Sequence, residues 1–505
     1  MRRIAERVSD RIISLPMLPV LMAVVAGIII ADHFIFPLWS VVVGIAVFLL
    51  NAVVLKRGAM ATLSLLVSLL LLAVAIFELS ERALPRGYNL YDIKIDRITS
   101  YAEGRTLGEG RVVGLDVDGR MESCRAEVRF SIDTAVALRA GSRLTAYCRV
   151  APFDRESENA YRRYMARRGM AGSVWIDADD VVQLDTQPSN LVMRLRDYAE
   201  RRISMLDLPH DEESVAMAVT IGRTERLVPS LREDYRRSGA AHLLAVSGLH
   251  VGFVCVIASA LLLLLVLLPH GQIVRSVAVM GFIWLYAAVV GFAPSIVRAA
   301  LLFSLLQFII AFASHTRSLN TLCFAAVIML LCNPHQLWDA GFLLSYIACA
   351  AIVEWGVPLI WWLARLLRID GHSPRRSPLR AVADFLLMWL LSAVVVSLVA
   401  TLATMPLAAC LFGLSSLWAV VMGPLMVLLC AIVVGSSMLW ILLPVGALQP
   451  VAEWVVGGSG AMLNGVVAWC AEHPALIIEE SISVAACATI YLIYIVLTFA
   501  LWARR

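Results

Sequence analysis

Gly239-Ala240-Ala241-His242-Leu243-Leu244-Ala245-Val246-Ser247-Gly248-Leu249-His250-Val251-Gly252 puts two imidazoles, a hydroxyl and several glycines where a run of hydrophobic segments begins. In hydrocarbon every polar group needs a partner, and ionisable side chains there are scarce and usually purposeful. Glycine permits unusual dihedrals and close backbone approach. Two readings follow: a broken or tightly packed helix lining a cavity, or a polar helix start whose small residues serve helix–helix contact.

Composition agrees with a membrane setting. Apolar residues make up 60% of the 505 and charged residues 16%, against roughly 45–50% and 25% in water-soluble domains. The net charge of +4 gives no global basic field. Lys56 and Lys94 are the only lysines, and arginine supplies the remaining cations. Arginine suits phosphate geometry, but a GC-rich genome produces the same bias.

Arg2, Arg3, Arg7 and Arg11 precede an apolar run without a good cleavage site, and two more apolar runs follow. This predicts three uncleaved helices at about 15–32, 38–55 and 60–79, within residues 1–80. Lys56 and Arg57, after the second helix, place the N-terminus and this short loop in the cytoplasm, so three crossings leave residue 80 outside.

Residues 81–188 then hold an extracytoplasmic domain whose part 104–185 reads as a small β-barrel. Asp118-Gly119 is a hairpin signal. Ala126, Val128, Phe130 and Ile132 alternate with charged or polar residues, and Leu144, Ala146, Cys148 and Val150 repeat the period. Three strands, a helix over 159–168 and two further strands give the order of an OB-fold. Strand parity puts Cys124 and Cys148 on the inward face, where an external compartment favours a disulfide over two buried thiols. Tyr161, Arg162, Arg163, Tyr164, Arg167 and Arg168 combine charge with stacking rings, as single-strand binding requires; a solvated helix face is the plainer alternative. Residues 189–238 read as an amphipathic helical connector, with Leu191, Leu195, Tyr198, Ile203 and Leu206 on one side and Arg194, Arg196, Arg201 and Arg202 elsewhere.

From 239 to 505 about nine spans follow, near 243–268, 273–292, 295–313, 319–333, 338–364, 384–412, 416–443, 447–470 and 482–502. Alternate crossings put Arg275, Arg317 and the arginines of 365–380 inside and Glu472, Glu479 and Glu480 outside, as the positive-inside rule asks. The short 319–333 and the Gly- and Glu453-bearing 447–470 fit least well. Arg298, after Pro294, offers five donors suited to a phosphate, or else snorkels to the interface. Asp339 either pairs with Arg298 or caps the next helix.

His242 to Gly252 resembles the signature of the ComEC competence family, bacterial inner-membrane proteins that carry incoming single-stranded DNA. Ile221-Gly222-Arg223, Tyr235 to Gly239, Gly291 to Ala299, Asn333 to Tyr346, and Thr401 to Gly413 with Met405-Pro406 are similar to further family segments. Tyr161 to Gly169 resembles the stretch between the strands of the family's OB domain. Met422-Gly423-Pro424-Leu425 departs from the pattern, with glycine where relatives tend to have asparagine. The resemblance implies a polytopic α-helical membrane protein of the plasma membrane, both termini cytoplasmic and an inserted periplasmic OB-fold-like domain. It implies a channel for single-stranded DNA with His242, Ser247, His250, Arg298, Asp339 and Ser345 along the path. A DNA receptor, a nuclease and a cytoplasmic motor are expected as separate proteins, because neither a metallo-β-lactamase-like segment nor a phosphate-binding loop is found. No metal site or cofactor is expected, and self-association stays open.

Two rivals remain. An intramembrane serine hydrolase would use Ser247 with His250 or His242, but residues three apart on a helix are not expected to align for proton transfer, and no third group is evident. A secondary transporter or flippase for another anionic solute would use broken helices, but no inverted repeat is seen.

Overall fold

The computed structural model describes residues 15–504 apart from 56–57, 81–83, 86, 103, 118–119, 137, 140, 187–190, 245, 313–317, 368, 370–377 and 444–445. The charge signals at Arg2, Arg3, Arg7, Arg11, Lys56, Arg57, His315, Arg317, Arg368, Arg375 and Arg376 lie outside the described residues, as does Asp118-Gly119.

Helices α1 (Met17–His33), α2 (Leu38–Leu55) and α3 (Ala59–Ser80) open the chain. Gly27 lets α1 meet α3, since a Cβ there would run into the Leu70 carbonyl. Small residues replace a hydrophobic driving force that lipid cannot supply.

A six-stranded sheet follows: β1 (Tyr88–Ala102), β2 (Arg105–Val117), β3 (Arg120–Asp133), β4 (Arg143–Pro152), β5 (Met170–Ile176) and β6 (Val181–Asp185), with helix α4 (Ala160–Arg167) between β4 and β5. The order β1-β2-β3-β5-β4 closes through pairing of β1 with β4, and β3 runs parallel to β5. Ala126, Val128, Phe130, Ile132, Leu144, Ala146, Cys148 and Val150 are buried, as the alternation predicts. β1 is an addition to the sequence reading. Its Tyr91, Ile93 and Ile95 face the core, but bulges between Asp92 and Ile93, Ile95 and Arg97, and Ile98 and Ser100 break the period. The helix therefore follows four strands rather than three. Cys124 and Cys148 both pack on the core face, yet no disulfide joins them. They sit on β3 and β4, which do not pair with each other, and the fully buried Tyr91 lies near both.

The connector is buried in part. In α5 (Leu191–Ser204) Arg202 is buried, against expectation: it donates to the Trp440 carbonyl at 2.9 Å and stacks 3.8 Å from that ring's centre. In α6 (His210–Ile221) every residue from Ser214 to Ile221 is buried, and α7 (Pro229–Arg237) follows. These helices share one core with the later membrane helices, so residue 239 is no packing boundary.

The rest comprises α8 (Ala241–Leu244), α9 (Gly248–Leu261), α10 (Gly271–Val290), α11 (Pro294–Phe312), α12 (Ser318–Cys332), α13 (Ala340–Leu366, with a π-turn at Ile352–Gly356), α14 (Pro378–Phe412), α15 (Trp418–Val421), α16 (Gly423–Leu442), α17 (Gln449–Glu472) and α18 (Val484–Arg504). Short strands at Ser415–Ser416 and Ile477–Ile478 pair beside α14 and α18. Among the described residues eight helices are long and apolar enough to cross a membrane, and α1, α9, α11 and α12 contribute shorter apolar helices. The chain is a polytopic helical membrane protein.

Candidate functional site

Two polar groups meet where α9 and α11 begin. These helices run parallel: Gly248 faces Ala299, and Gly252 faces Phe303. Ser295 Oγ donates to the Val246 carbonyl at 2.9 Å and ties α11 to the break between α8 and α9. The positive dipole ends of two neighbouring helices favour anions there.

Ser247 is the N-cap of α9, with extended backbone (φ −115°, ψ 177°). Its amide donates to His250 Nδ1 at 3.0 Å, and its hydroxyl lies 2.9 Å from the same nitrogen. The expectation that these side chains would not meet is corrected: a residue at the cap is outside the helix and can turn back on the third residue of the first turn. Because Nδ1 accepts the backbone N–H, its lone pair is engaged in the cap. Nε2 faces Cys430 Sγ at 3.7 Å, and the ring is fully buried. A carboxylate that would orient the imidazole as a base is not among its partners.

His242 behaves differently. Its Nδ1 lies 3.0 Å from the Gly239 carbonyl, and the residue is exposed.

Arg298, one turn into α11, is 3% exposed. Its Nη2 reaches the Ser295 carbonyl at only 3.4 Å, and Nη1 has no hydrogen-bond partner among the described residues. The guanidinium stands 5.5 Å from the centre of the Tyr346 ring on α13. Burying a cation without full pairing costs several kcal/mol. Ser345 is spent on Cys349, one turn along.

The pairing of Asp339 with Arg298 is not found. Asp339 caps α13, accepting the Phe342 amide at 3.0 Å, and its other oxygen meets Arg168 Nη2 of the barrel at 3.2 Å. The basic cluster on α4 is thereby divided. Arg167 lies 3.1 Å from the Asp32 carboxylate, which is wholly buried and also meets Arg155 at 3.5 Å. Arg167 stacks on Trp338, and its carbonyl takes His335 Nδ1 at 3.1 Å, while His335 Nε2 contacts Ser80 at 3.0 Å. Tyr164 reaches Ala340. Arg162, Arg163 and Tyr161 stay exposed, with Tyr161 held by Arg129 and Arg163 bonded to the Ser157 carbonyl. Half of the proposed DNA cluster is therefore a dock, and the ends of α1 and α3 and the α12–α13 link lie on one face against the barrel.

Sequence reasoning missed Tyr346, Ser295 and Cys430 as partners in this region. Each reads as an ordinary packing residue until the fold brings it to Arg298, Val246 or His250.

The model of the Competence protein family matches residues 219–505. The chain belongs to that family. Its match begins within α6, the helix that the membrane core encloses. The competence protein is 28% identical over 195 residues to ComE operon protein 3 of Bacillus subtilis, covering 38% of this chain and 24% of that one. It is 29% identical over 164 residues to an uncharacterized protein of Aquifex aeolicus, covering 32% and 37% respectively. The competence protein thus spans well under two thirds of either relative's length in the matched regions. No solved structure matches it.

Proposed function

We propose that the protein conducts single-stranded DNA across the bacterial inner membrane during natural transformation. The observation that carries this reading is the Arg298 guanidinium, buried with Nη1 unpartnered beside the starts of α9 and α11. A passing phosphate supplies the missing acceptor. His242, exposed at the start of α8, is the second contact, while Ser247, His250, Asp339 and Ser345 hold the walls in shape. Loose, serial contacts suit transport, since each nucleotide must be released.

In this reading the barrel is periplasmic and OB-like, both termini are cytoplasmic, and receptor, nuclease and motor are separate proteins. The 2.9 Å contact of Ser247 with His250 favours a hydrolase as second reading. The engaged Nδ1 argues against it, and we assign the chain no catalytic role.

Uptake of fluorescent single-stranded DNA in a strain carrying only the variant chain tests the proposal. Arg298→Ala removes an unpaired buried charge, so the protein is expected at normal level in the membrane while uptake falls at least tenfold; Arg298→Lys retains part of it. Unchanged uptake in Arg298→Ala removes Arg298 from the path.

A further inference from the structure

The barrel carries a second feature that the dock on α4 leaves untouched. On its outer face Tyr88 of β1, Tyr147 of β4 and Trp175 of β5 are 76%, 52% and 62% exposed. The register sets them beside a cation: Arg149 of β4 pairs across to Tyr88 on one side and to Trp175 on the other. Tyr147 lies two residues from Arg149 and therefore on the same face. Arg149 is exposed, and no ion pair holds it among the described residues. Behind Trp175, Arg105 stacks 3.9 Å from the ring centre. It is pinned there by Asp177 at 2.8 Å, Ser131 Oγ at 2.9 Å and the Ile176 carbonyl at 2.7 Å. The indole is thus braced from within the sheet.

Exposed rings gathered on one face, unlike rings scattered singly, mark an interaction surface. Rings on either side of a cation, across adjacent strands about 5 Å apart, match bases joined through a phosphate. Base–aromatic stacking needs unpaired bases, which a duplex does not offer. We propose that this face of β1, β4 and β5, built from Tyr88, Tyr147, Arg149 and Trp175, is a stacking surface for single-stranded DNA, separate from the α4 cluster. The proposal rests on the reading of the chain as a DNA-uptake protein. Tyrosine and tryptophan also gather at membrane interfaces, so the test must separate the two coverings.

The test uses the full chain in nanodiscs, with labelled oligo(dT) for affinity and hydroxyl-radical oxidation read by mass spectrometry for contact. Tyr88 and Trp175 are expected to oxidise readily without DNA and to be protected by oligo(dT) but not by duplex. Trp175→Ala should weaken oligo(dT) binding about 5- to 100-fold, with Trp175→Phe close to the parent, and Arg149→Gln should flatten the salt dependence. Protection by the bilayer before DNA is added overturns the proposal in favour of lipid contact. Undiminished binding by Trp175→Ala with unprotected rings overturns it while leaving the uptake reading intact. Failure of the parent protein to bind any single strand counts against both.

Discussion

Ser247 shows how one residue serves two readings that differ in their demand on chemistry. As a cap it needs an acceptor at the right place; as a nucleophile it needs a base with a free lone pair. Ser247→Asn keeps the cap and loses the nucleophile, whereas Ser247→Ala loses both and costs about 1 kcal/mol of helix stability. Uptake by the Asn variant near the parent level, with the Ala variant lowered, is the expected outcome, measured alongside thermal stability in detergent. Equal loss in both would favour hydrolysis. The two barrel cysteines give a second residue-scale expectation. Burial pushes the Cys148 thiol up to about 12, so it stays protonated and unreactive in the folded chain. A maleimide should modify Cys124 and Cys148 only after unfolding, and without prior reduction. The inward parity of both was legible in the alternation. That β3 and β4 do not pair with each other was not, because it depends on the path of the chain around the barrel.

Among elements, the dock between α4 and the membrane helices is the most exposed to perturbation. His335 is held below the ordinary imidazole pKa, first by burial and further by Arg155, with the Arg167 carbonyl and Asp32 opposing. A depressed folded value favours the neutral ring, so its contribution is complete above the ordinary 6.5 and fades as pH falls through the lower folded value. Hydrogen exchange across α4 should rise below pH 6.5, and His335→Gln should blunt the change. Asp32→Asn should loosen α4 at every pH by removing the carboxylate charge that Arg155 and Arg167 meet. At the α1–α3 crossing, Gly27→Leu forces the helices apart at a cost of roughly 1–3 kcal/mol, visible as a lowered melting temperature. Spans were legible because hydropathy reports them directly. The dock was not, since arginines that bind DNA and arginines that grip a buried aspartate look alike in sequence. β1 was hidden by its bulges, and Arg202 by a charge that ordinarily signals solvent.

At the scale of the whole molecule, the membrane core takes in chain from both sides of the family signature. Ala199, Ile203 and Val215 pack in the same cluster as Val433, Val456 and Val467. Sequence divided the chain at 239 because polarity changes there; packing does not respect that line. The enclosure of α6 bears on how the protein is made. This apolar helix leaves the ribosome long before α16 and α17, the two walls that will cover it, have been synthesised. Until then it has nothing to lean on, and such distant pairings are slow to form. Nascent chains arrested ahead of residue 423 should be cut by protease within 210–221, and those released after 472 should resist. Assembly of this membrane protein is therefore vulnerable early and secured late, with its enclosed helix waiting for its last partners.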